Sequence, residues 1–188
     1  MNLRKEKLYA VSTDTHLRGN KLDEKSSINK PEPWYGEGLI SALSVGAILI
    51  LIGVVFVTNS NLWENIVNFF KNIDTIRVSG TSIFLPAPTV PSAHEGLYTA
   101  LEQFELGVGI LQVLILAARL LVHSRIRRIA ETVGNLIFWF GASYLTVTYL
   151  NSTTTQEKWF LFWAAIVILF GVSLIVRAIV LMARNAIK

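Results

Sequence analysis

Cysteine is absent from this sequence, which excludes disulfides, thiolate metal sites, covalent haem attachment and a cysteine nucleophile. Charge is scarce as well: Asp, Glu, Lys and Arg make up 16% of 188 residues, against 52% hydrophobic residues. That balance is more apolar than an average soluble domain and points to the membrane class. Histidine is limited to His16, His94 and His123. The last two flank one apolar segment at opposite ends, so they cannot share a bis-histidine haem. His94 beside Glu95 has no third ligand in view, and no metal, cofactor or catalytic set is expected. An early apolar run is missing too, since Met1 to Glu37 is polar and mixed in charge, so no cleavable signal peptide is expected. Residues 1–37 are expected to form a flexible cytoplasmic tail.

The formal charge is +4, but the basic residues gather beside hydrophobic runs instead of interleaving with aromatics, which argues against a nucleic-acid partner. The hydrophobic runs set the architecture. Gly38 to Trp63 contains no charged residue, enough to cross roughly 30 Å of hydrocarbon at about 1.5 Å per residue. "TVGNLIFWFGASYLTVTYL" and "WFLFWAAIVILFGVSLIV" are comparable. A fourth segment, "HEGLYTALEQFELGVGILQVLILAARLLVHSRIRR", is harder: its uncharged part, Leu106 to Ala118, covers only about 20 Å as a helix. The rest of the crossing must include Arg119 at one end and Glu105 or Glu102 at the other. The expected fold is therefore an all-α membrane protein, a bundle of four transmembrane helices at about 38–58, 100–122, 132–150 and 159–177 within a domain 38–188.

Lysine and arginine set the topology. Seven precede the first span, four lie at 119–128 and three at or beyond Arg177, against two between the first and second spans and one between the third and fourth. Fourteen against three places both termini on the cytoplasmic face of a multi-pass cell-membrane protein. Trp63, Tyr98, Tyr144, Tyr149 and Trp159 then form an outer aromatic belt, while Trp139 and Trp163 are deeper and packed. The outer loop, 59–95, contains "NLWENIVNFFKNIDTI", apolar at helical spacing, which predicts an extracytoplasmic interfacial amphipathic helix over about 62–76 with Asn61 as its cap. Pro86, Pro88 and Pro91 forbid helix in the next stretch and favour an extended course. Ser92 and Glu95 have the spacing of a capping box for the second span.

Glu102, Glu105, Gln112 and Arg119 fall within about 100° of arc on the second span, one polar stripe that lipid cannot satisfy. Asn135 and Thr146 lie on a polar arc of the third span, with Thr132, Ser143 and Tyr149. Two readings are open: a pathway for an ion, proton or small polar solute, or interhelical contacts with the acids in the outer headgroup layer. Arg125, Arg127 and Arg128 are candidate contacts to anionic lipid, though topology alone also explains them. Asn151 opens "NST", an acceptor pattern for glycosylation. Small residues recur every seven positions in each span: Gly46 and Gly53; Ala93, Ala100 and Gly107; Gly134 and Gly141; Ala164, Gly171 and Ala178. Such spacing favours close helix packing within one chain or between copies.

The block "NLIFWFGASYLTVTYLN" followed by "KWFLFWAAIVILFGVSLIVRAIV" resembles small, uncharacterised integral membrane proteins of archaea. The resemblance covers the C-terminal third, an aromatic-rich pair of helices. It implies an archaeal membrane setting and carries over no functional residue. The expected function is a non-catalytic integral membrane subunit or scaffold packing into a homo-oligomer or larger complex, with lipids and other membrane subunits or itself as partners. The alternative is a small ion or proton channel or transporter using the stripe. An enzyme is disfavoured, because Glu102 and Glu105 alone approach a paired-acid site.

Overall fold

The computed structural model describes the backbone of residues 34–186 and the side chains of 38–183. The chain divides into Met1–Glu37 and Gly38–Lys188, and the second unit is described here; residues 1–33 of the expected tail lie outside the described residues. The elements are α1 (Trp34–Thr58), α2 (Leu62–Lys71), β1 (Ile73–Arg77), β2 (Phe84–Pro88), a single 3₁₀ turn (Pro91–His94), α3 (Glu95–Leu121), α4 (Ile126–Tyr149) and α5 (Gln156–Ala186). Within them Gly38–Thr58, Pro91–Leu121 and Gln156–Ala183 are long and apolar enough to cross a membrane. Helix α4 has 24 residues, a length of about 36 Å. It falls outside that apolar set because its uncharged part is diluted by Thr132, Asn135, Ser143, Thr146 and Thr148.

The chain is mostly helical, with one departure. The amphipathic segment stops being a helix at Lys71, and Ile73–Arg77 pairs with Phe84–Pro88 as an antiparallel hairpin. Asn72 ends α2 by donating its N–H to Asn68 and Phe69 while its carbonyl accepts from Thr89, so the chain leaves the helix already paired. Prolines fit in β2 because of register. Thr89 donates to Asn72 and Val78 to Ile83, which puts the ladder bonds at alternate pairs. Pro86 opposite Thr75 and Pro88 opposite Ile73 occupy the pairs between, where no N–H is required.

Two expected caps take other forms. Asn61 stands at the start of α2 in the left-handed region, φ 67°, with no side-chain cap bond. Ser92 lies inside the 3₁₀ turn, and the residue before α3 is His94. Pro91, placed at the first position of that turn, starts the coil earlier than the capping-box spacing implies.

Short connections make α3, α4 and α5 antiparallel neighbours, with α4 packed along both others. The turn after α3 closes as a Schellman motif: His123 donates to the Leu120 carbonyl at 3.2 Å and Ser124 to that of Arg119 at 2.9 Å. His123 takes the left-handed position, φ 52°, usually given to glycine. Against α5, α4 presents Gly134 and Gly141. A Cβ on Gly134 would meet the Ser173 carbonyl oxygen at 3.1 Å, and one on Gly141 would meet Leu169. Gly107 is close to Leu51 in the same way, whereas Gly46, Gly53 and Gly171 have no atom within 4 Å. The seven-residue pattern thus marks real packing on α3 and α4 but open surface on α1.

The buried core gathers where α1 and α4 end and α3 and α5 begin. One cluster joins Ala87, Tyr98, Leu150, Trp159 and Phe162, and a second joins Val55, Leu62 and Ala100. Two aromatics of the expected outer belt, Tyr98 and Trp159, are core residues here, while Trp163 is half-exposed. They are drawn inward because α2 and the hairpin cover this end, bringing Phe69 against Trp159 at 5.8 Å.

Two outcomes check this packing. Gly134→Ala should lower stability by about 1–3 kcal/mol, because the obstructing atom is backbone and cannot rotate away, while Gly171→Ala, unobstructed, should raise it by up to about 1 kcal/mol; thermal unfolding in detergent separates them. His123→Gly should raise stability by about 0.5–1 kcal/mol by relieving the left-handed backbone, read as a higher Tm in the same assay.

Candidate functional site

Two members of the polar stripe of α3, Glu105 and Arg119, bond to α4. Glu105 lies in the first half of α3 and is only 5% exposed, and Thr146, in the last turn of α4, is 1% exposed. The Thr146 hydroxyl donates to Glu105 Oε2 at 2.7 Å. At the other end of the two helices Arg119 Nη1 donates to the Thr132 hydroxyl and, at 2.6 Å, to the Arg128 carbonyl. Fourteen residues separate Glu105 from Arg119, and fourteen separate Thr132 from Thr146. The two polar contacts therefore belong to one antiparallel register, about 21 Å apart along the helices.

Between them the seam is apolar and narrow. Val108, Gly109, Ala142 and Ser143 are buried, and the ring of Phe140 lies 3.3 Å from where a Cβ of Gly109 would stand. Gln112 is half-buried midway between the contacts. Glu102, one turn before Glu105, is also half-buried. Asn135 is exposed, so it does not join Glu105 and Gln112, although it shares an arc with Thr146 on a helical wheel. That arc of about 120° is wide enough to run from the seam to an open face of α4.

A buried carboxylate that accepts a hydrogen bond from a neutral hydroxyl is satisfied on one oxygen and tied to one neighbour. Chemically the pair can hold a proton or fix a helix register. A nucleophile needs an adjacent base, and among the described residues no histidine or carboxylate is hydrogen-bonded to Ser143. Among the described residues no group of three His, Asp or Glu could hold a metal ion. His94 is buried against Phe69, ring centroids 5.2 Å apart, and 3.4 Å from Asn72 Nδ2.

Several contacts were not legible from spacing. Asn59 Nδ2 donates to Gln103 Oε1 at 2.8 Å and ties the end of α1 to α3. Glu131 receives Arg127 at 3.5 Å, Arg128 at 3.9 Å and Arg177 at 3.4 Å. The first two follow from i, i+4 and i, i+3 spacing; the third joins α4 to α5 and has no signal in the sequence. Arg125 is exposed just before α4. Asn151 lies in the turn between α4 and α5, where its Oδ1 accepts from the Thr153 amide at 2.9 Å and the Thr153 hydroxyl at 2.7 Å.

Thr146→Val keeps the shape of the side chain but leaves the Glu105 carboxylate buried without its donor. The expected loss is about 1–3 kcal/mol of stability, with Thr146→Ser close to wild type, both measured by thermal unfolding.

No family model matches this chain, and comparison with curated proteins and with solved structures finds no match either.

Proposed function

We propose that this chain is a non-catalytic integral membrane subunit or scaffold of four crossings, with both ends cytoplasmic, that packs into a homo-oligomer or larger membrane complex. The observation that carries the reading is the state of α1. Only 6% of its apolar window is buried, and Leu51, Val55 and Asn59 tie it to the other helices. Gly46 and Gly53 lie on it with nothing within 4 Å, a surface on which another helix can approach closely. Support for α4 as the fourth crossing comes from its place between α3 and α5 and from its buried Thr132, Ser143 and Thr146. A polar side chain paired with a neighbouring helix is tolerated at membrane depth.

The second reading, a small ion or proton channel or transporter, is favoured by one observation: Glu105 is buried with Glu102 one turn away. It would use Glu102, Glu105 and Gln112. Unchanged proton or ion flux in liposomes after Glu105→Gln removes that assignment.

The absence of cysteine makes the subunit reading directly testable by single-cysteine crosslinking. Gly46→Cys or Gly53→Cys should crosslink to a second copy or to a neighbouring subunit in native membranes, whereas Val108→Cys, in the closed α3–α4 seam, should not. A lone, uncrosslinked monomer after gentle extraction would overturn the proposal.

A further inference from the structure

We propose that the end of the protein where α3 passes into α4 is a binding site for the phosphate of an anionic lipid headgroup, assembled from two helices around Glu131. Three arginines meet there, and two more lie at the same end of the helices. Arg127, Arg128 and Arg177 share the one Glu131 carboxylate. Arg119 is brought alongside by its bond to the Arg128 carbonyl, and Arg125 precedes the first turn of α4. One carboxylate shared by Arg127, Arg128 and Arg177 leaves these three guanidinium groups with a net positive charge. Arg127 and Arg128 are well exposed, which leaves their remaining donors open to a further anion. Guanidinium groups match a phosphate in bidentate geometry.

The placement selects the source of that phosphate. The turn at residues 122–125 ends α3 and begins α4, and exposed Leu120, Leu121 and Val122 border it. An apolar rim beside an arginine cluster suits a molecule with acyl chains and an anionic head better than a free ion. Glu131 has a distinct part. It holds Arg177 of α5 against α4, so that arginines from separate helices face one headgroup, and as a like charge it weakens anion binding. The site rests on the membrane reading of the apolar helices and is independent of whether the chain is a subunit.

The test uses the full chain in neutral detergent, with dioleoyl phosphatidylglycerol, dioleoyl phosphatidylcholine or inorganic phosphate added and bound lipid counted by native mass spectrometry. Phosphatidylglycerol should bind at least about tenfold more tightly than phosphatidylcholine, with about fivefold lost per arginine neutralised. Arg125→Gln with Arg127→Gln, both at exposed positions, should lose preference for the anionic lipid, and Arg177→Gln should lose about fivefold on its own while Arg177→Lys, which keeps the charge but not the bidentate geometry, should lose less. With Glu131→Gln already in place, Arg177→Gln should cost less than it does alone, because Glu131 is what holds Arg177 at the site. Lys71→Gln with Arg77→Gln, at the other end of the helices, should change nothing. Equal retention of the two lipids overturns the site. So does an Arg177→Gln variant that binds as wild type, which would reduce the cluster to a loop attraction, and so does displacement of phosphatidylglycerol by millimolar phosphate, which would make a free anion the ligand. Crosslinking of α1 to a neighbour is unaffected by any of these results, so the two proposals fail separately.

Discussion

Polar groups within long apolar helices must find partners on the adjacent helix, and here that constraint is met by two contacts in one register. Thr146 bonds to Glu105, and Arg119 bonds to Thr132. Leaving such groups unpaired in an apolar interior costs several times what a surface hydrogen bond contributes. Sliding α4 along α3 by a turn would break both contacts together. The register in turn brings Gly109 under Phe140 and buries Val108 and Ala142, so polar pairing and close packing reinforce each other.

The same register organises both ends. At one, the Schellman turn at His123 folds the chain back so that Arg119 reaches the first turn of α4, and Glu131 then connects to Arg177 of α5. At the other, the starts of α3 and α5 converge with Leu150 at the end of α4, and the hairpin and α2 close over Tyr98, Trp159 and Phe162. The buried hydroxyl of Tyr98 and indole N–H of Trp159 have no protein acceptor among the described residues, which leaves the polar tips of these core aromatics as the least satisfied part of that end. Helix α1 is outside this scheme for most of its length. It has no acid, base or amide between Gly38 and Thr58 with which to bind a neighbour, and Leu51 and Val55 join it to the others.

How far the sequence reaches is seen in the stripe itself. That Glu105 and Arg119 share one face of α3 follows from their spacing in an apolar run. Their partners do not follow, because a helical wheel fixes relative directions on one helix and carries no information on the rotation of the next. Thr146 and Asn135 therefore look equivalent in sequence, yet one is buried against Glu105 and the other is exposed. The outer segment shows the same limit: apolar spacing continues through Ile73 and Ile76, but those residues are in a strand, since pairing with β2 was a long-range competitor that a local period cannot register.

Local physics in the sequence thus determined three long apolar helices, where the charges gather, and that cysteine chemistry is excluded, because these depend on composition and on short spacings. Tertiary structure alone decided which polar residues meet, that Arg177 reaches Glu131, that Pro86 and Pro88 fit a strand, and that α1 stands apart. Each of those depends on the mutual rotation and translation of separate elements, which is settled by contacts between residues far apart in the chain.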